Sequence, residues 1–268
     1  MHHIKTRFFR RHARGARSAG FTILELALAL AILGMLASAV LVPFVAQVTQ
    51  RNISGTEKIL DEAKEILMGY ATATSRLPCP ATAASNGVES FAVGGNAANG
   101  NCETFVGFLP AVTLGLTPVD NQGYAIDAWG TAQNRIRYAV SNQTVNGITN
   151  PFTRTNGMRS ATPAAMASTA LQYVCASGAG VVAGTNCGTA IRLTDNAPVV
   201  IWSVGANAAT GGTGVDEAQN PNPNGGSADR IFVSRTRSDA TGNEFDDIVT
   251  WLAVGNLVSR MVLGGQLP

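Results

Sequence analysis

From Leu26 to Gln50 the chain carries no charged residue, while residues 1–20 carry Lys5, Arg7, Arg10, Arg11, Arg14 and Arg17 and no acid. A charge-free apolar stretch of this length has to be covered, by lipid or by other helices. As a helix, Phe21–Val48 would rise about 42 Å at 1.5 Å per residue, more than the roughly 30 Å of a bilayer's hydrocarbon core. The expectation is a transmembrane helix over 21–50, with the basic start held on the cytoplasmic side. A secretory signal has the same order, but its cleavage site follows the apolar run. Here Ala37-Ser38-Ala39 lies inside it.

The same basic start holds all three histidines, His2, His3 and His12. Without residues 1–20 the chain has 13 bases against 17 acids, net −4, and no imidazole. Ser-His-Asp and Cys-His catalysis and histidine-ligated zinc are thereby excluded for the remainder. The cysteines, Cys79, Cys102, Cys175 and Cys187, form no Cys-x-x-Cys pair, so neither a redox motif nor a zinc knuckle is suggested. Their even number in loop-like sequence points to disulfides in an oxidising compartment. Cys79–Cys102 with Cys175–Cys187 closes the two shortest loops and is the pairing expected, one of three connectivities.

Glu25 is out of place in this frame. A carboxylate at the start of an apolar helix is costly in lipid unless it reaches a cation or the headgroups. If the chain is cut after Gly20, the new amine of Phe21 lies one turn from Glu25 and could meet a neighbouring subunit's carboxylate. Gly20-Phe21-Thr22-Ile23-Leu24-Glu25-Leu26 resembles the signal of type IV prepilins and type II secretion pseudopilins. The resemblance implies cleavage by prepilin peptidase between Gly20 and Phe21, N-methylation of Phe21, and a role in assembly for Glu25. Ile23-Leu24 inverts the usual pair, a volume-conserving change. Pro43, late in the run, removes a helix hydrogen bond and is expected to kink or loosen the helix.

Beyond Arg51 an amphipathic pattern carries Ile53, Ile59, Leu60, Ala63, Ile66, Leu67 and Tyr70 at helical spacing up to Arg76, where Leu77-Pro78 stops it. The spacing predicts one helix over Phe21–Arg76 and a disulfide-stapled head over 77–268. Asn134–Val140 alternates with period two, which predicts Ile136, Tyr138 and Val140 inside and Arg135 and Arg137 in solvent. Further strands are expected over 189–194, 198–204, 230–235 and 247–253, and a short helix over 256–262. Asp127-Ala128-Trp129-Gly130 resembles the Asp-Pro-Trp-Gly turn of major pseudopilins. Trp202–Asn207 with Asp246-Asp247 is similar to their last strand and calcium-binding loop.

The fold expected is therefore α+β, type IV pilin-like: a long N-terminal helix, half transmembrane and half amphipathic, on a small antiparallel sheet. The function expected is a non-catalytic filament subunit, a type II secretion pseudopilin or else a minor type IV pilin. A membrane-anchored periplasmic enzyme or receptor is the contrasting class. Expected partners are other pilins or pseudopilins, prepilin peptidase, an inner-membrane assembly platform and membrane lipid. The expected location is a single pass of the inner membrane, with the head periplasmic. Calcium at Asp246 and Asp247 is the candidate cofactor, drawing on oxygens among Asp216, Glu217, Asp229 and Glu244. Arg135, Arg137, Arg235 and Arg237 could offer a phosphate-binding face, but the acidic remainder argues against nucleic acid. Gly211-Gly212-Thr213-Gly214 lacks the Lys-Ser/Thr of a phosphate loop.

Overall fold

Val199-Val200-Ile201-Trp202 is a continuous apolar run, and a strand of that kind needs cover on both faces. The computed structural model describes residues 20–211, 214–220 and 229–268, without the side chains of 38–43. The elements are α1 (Ile23–Thr74), β1 (Val106–Phe108), α2 (Ala111–Leu114), β2 (Arg137–Val140), α3 (Gly157–Ala161), α4 (Pro163–Ser168) and β3 (Gln172–Cys175). There follow β4 (Arg192–Ala197), β5 (Val199–Ser203), β6 (Ile231–Val233), β7 (Ile248–Leu252) and α5 (Val254–Leu263). The chain divides into two compact units, Met1–Val48 and Thr49–Pro268.

In the second unit, α1 buries Thr56, Leu60, Ala63, Leu67 and Ala71, a stripe of three- and four-residue steps. The helix gives way at Ser75, which takes a left-handed conformation (φ 59°) before Leu77-Pro78. The stripe packs with Tyr138, Val140, Val199, Ile201 and Leu252 and with Leu257 and Met261 of α5. Those strand residues share one face of an antiparallel sheet ordered β1-β2-β5-β7, in which Tyr138 lies opposite Ile201 and Ile201 opposite Thr250. The other face carries Ala139, Val200 and Trp202 and packs with Val174 of β3, Ala197 of β4 and Phe232 of β6. The second sheet is ordered β4-β3-β6, with β3 and β6 parallel. At its outer edge the side-chain amide of Asn220 donates to Val233 O (3.0 Å) and accepts from Val233 N (2.8 Å).

Three expectations are corrected. Among the described residues no helix is long and apolar enough to cross a membrane. The apolar stretch whose side chains are described, Ile23–Ala37, would rise only about 22 Å as a helix, with Glu25 near its start. The transmembrane half of the fold and the single-pass inner-membrane location are therefore not supported. Second, the head is not one small antiparallel sheet but two sheets, the second mixed, because both faces of β2 and β5 are buried. Third, Arg137 does not face solvent: it is 2% exposed, on the face between the sheets. The strand expected over 189–194 forms as Arg192–Ala197, and β3 arises where no element was expected.

Candidate functional site

At its start α1 is closed by a reciprocal cap. Glu25 N donates to Thr22 Oγ1 (3.2 Å), and Thr22 N and its hydroxyl donate to Glu25 Oε2 (3.0 Å each). This is the Ser/Thr-x-x-Glu box, which satisfies helix-end N–H groups that lack partners within the helix. Gly20 stands in open space, and Phe21, Ile23, Leu24, Leu28 and Leu33 all expose more than half of their surface. The helix runs through position 43, while the side chain of Pro43, and with it any kink, lies outside the described residues. So do residues 1–19 of the basic start.

In the second unit, three carboxylates converge. Glu217 comes from a one-turn 3-10 helix (Glu217–Gln219), and Asp246 and Asp247 immediately precede β7. One oxygen from each lies within 4.8 Å of the others. Glu217 Oε1 accepts from Asn207 Nδ2 and from Asp246 N (3.0 Å each), and Asp246 Oδ2 accepts from Asn207 N (3.0 Å). Asp247 Oδ2 accepts from Asn220 Nδ2 (2.7 Å). Glu217 Oε2 and Asp246 Oδ1 are buried with no hydrogen-bond partner among the described residues, and Glu217 is 5% exposed. Burial, then the Glu217 carboxylate, pushes Asp246 up to about 6, and burial drives Asp247 well above the usual carboxylate range. A buried oxygen with nothing to accept from is costly; two of the three carboxylates carry one, and three carboxylates so close suit a hard divalent cation. Asn207 enters as a donor that positions two of them.

The Asp127-Ala128-Trp129-Gly130 turn supports this cluster. Asp127 accepts from Trp129 N (2.8 Å), from Asn134 Nδ2 (2.9 Å) and from the Ser203 hydroxyl. Asn134 also donates to Gly205 O (2.6 Å), and Gly205 N donates to Ser203 Oγ (3.1 Å). Gly205 has φ 66°, and a Cβ there would lie 2.5 Å from Asp246 Cγ, so only glycine lets this loop meet the carboxylate.

The other acids expected as ligands lie elsewhere in the network. Asp216 is ion-paired with Arg235 and accepts from Gly178 N. Asp229 accepts from Gly184 N, and Glu244 from Gly242 N. Arg135 pairs with Asp120 (2.7 Å) and Arg237 with Asp239 (2.8 Å); with Arg137 buried, the four arginines form no open cationic face. Cys79 is bonded to Cys102 and Cys175 to Cys187. Sequence reading missed Thr22, although Thr22-x-x-Glu25 was there to be read as a cap, and it missed the site's structural use of Asn207 and Gly205.

No family model, curated protein or solved structure matches the chain.

Proposed function

We propose that this chain is a structural subunit of a pilin-like filament, of the type II secretion pseudopilin kind, with a minor type IV pilin as the nearest alternative. Prepilin peptidase would release Phe21 as the first, N-methylated residue, and subunits would join through the start of α1. The observation that carries this reading is the exposure of apolar side chains over Phe21–Leu36 and again over Phe44–Val48. Such a surface costs about 25 cal/mol per Å² left in water, and copies of the same helix are the cover it fits. The role is structural, not catalytic. A second element of the reading is a cation, calcium by the chemistry of its donors, held by Glu217, Asp246 and Asp247. It would tie the 3-10 turn to the start of β7.

Glu25→Gln tests assembly without disturbing the helix start, because glutamine serves in the capping box as glutamate does. Folding and protein level should stay normal. Crosslinking between copies, and recovery of sheared filaments, should fall at least tenfold if Glu25 meets a neighbour's Phe21 amine. Undiminished assembly would remove the central claim. N-terminal sequencing that finds no start at Phe21 in peptidase-competent cells would remove the processing step.

A further inference from the structure

Arg137 lies on the same sheet face as Asp247 of the acidic cluster. It is paired in register with Trp202 of β5, and Trp202 with Val249 of β7. Asp247, two residues before Val249, falls on that face by the alternation of a strand. The guanidinium is 2% exposed and lies over the Phe108 ring, 4.6 Å from its centre. Its Nη2 donates to Gln133 O (3.3 Å), while Nε and Nη1 have no hydrogen-bond partner among the described residues. Asp247 and Asp127 are the acids whose charges act on it, and Arg135 the like charge. Asp127 is already held by Trp129, Asn134 and Ser203. Burial brings Arg137 down to about 10, so it remains a cation at neutral pH.

We propose that Arg137 sets the charge selectivity of the Glu217, Asp246 and Asp247 site, favouring divalent over trivalent cations. The proposal rests on the reading of that cluster as a cation site, which itself stands on Oε2 of buried Glu217 having no hydrogen-bond partner among the described residues. The guanidinium opposes any cation held there in proportion to that cation's charge. A trivalent ion of similar radius gains more from the carboxylates but is repelled more by the guanidinium. Across two strand spacings, roughly 10 Å, one unit of charge in a partly polar interior is worth roughly tenfold in affinity.

The test uses the full-length protein, terbium emission excited through tryptophan (Trp202 is the buried neighbour) and displacement by calcium. For Arg137→Met the terbium-to-calcium affinity ratio should rise about tenfold over wild type. For Arg137→Lys, which keeps the charge, it should stay within about twofold. A folded Arg137→Met protein with an unchanged ratio overturns the proposal while leaving the cation site standing. A wild-type protein that binds neither ion overturns the site itself, and the proposal with it. If Arg137→Met does not fold alone, lanthanum should restore its circular dichroism at lower concentration than calcium; equal or no rescue overturns the proposal.

Discussion

Asp246 is a carboxylate raised to about 6 in the fold, which fixes the sign of a pH effect. A raised acid binds protons more readily folded than unfolded. Its contribution is therefore full below the unfolded value near 3.9 and is lost as pH rises through about 6. In chelator, wild type should lose about 1–2 kcal/mol relative to Asp246→Asn between pH 4 and pH 7, after allowance for solvent screening. Added calcium should flatten the difference. Urea melts of both proteins across that range check it, and a wild type that gains on the variant as pH rises would be the wrong sign. Asp246 and Asp247 were legible as a candidate pair only through their likeness to the calcium-binding loop of pseudopilins, since adjacent acids before a strand serve equally as a solvated turn. Glu217 stood only among several candidate oxygens, since its 3-10 turn meets them by tertiary folding alone. Arg137 was misread because alternation assumes a sheet with one wet face, and Val199–Trp202 already showed that this sheet has none.

At the scale of elements, the end of α1 is fastened to the loop after it by more than the Cys79–Cys102 bond. Arg76 reaches Glu89 through both guanidinium arms (2.7 and 2.8 Å) and donates to the Tyr70 hydroxyl (2.8 Å), and both charged side chains are largely buried. Glu89 Oε2 also accepts from Cys79 N (3.1 Å). Removing one member of a buried pair strands the other charge, so Glu89→Leu should cost about 3–5 kcal/mol. Arg76→Met with Glu89→Leu should cost less than Glu89→Leu alone, a comparison read from thermal melts with the disulfide intact. The helix was legible from its stripe, and its end from Leu77-Pro78. The fastening was not, because Glu89 lies in an Ala/Asn/Gly-rich segment with no periodicity to place it. β4 forms three residues later than its expected span: Ile191 falls before it and is exposed, Leu193 within it is exposed, and Ala197 at its end is the buried residue.

For the whole molecule, the division after Val48 assigns the amphipathic part of α1 to the head, whose core its stripe completes. A fragment of Thr49–Pro268 should therefore fold alone, with both disulfides, as a monomer with a cooperative melt. Size-exclusion chromatography and calorimetry check this; a fragment that aggregates or melts without cooperativity would show that the head needs residues before Thr49. The chain from Phe21 should instead associate in dilute buffer. Helix-plus-sheet architecture was readable from patterning, but the second sheet was not. Gln172–Cys175 is short, and its parallel partner β6 lies far along the chain, so no local signal joins them. The small exchange between Asn220 and Val233 has a consequence at this scale. One side-chain amide offers Val233 the donor and acceptor that a visiting strand would supply, so β6 ends as though already paired there. On the filament proposed above, crowded heads would find no template at that position for cross-β growth, and the ordered contacts of assembly would fall to the helices.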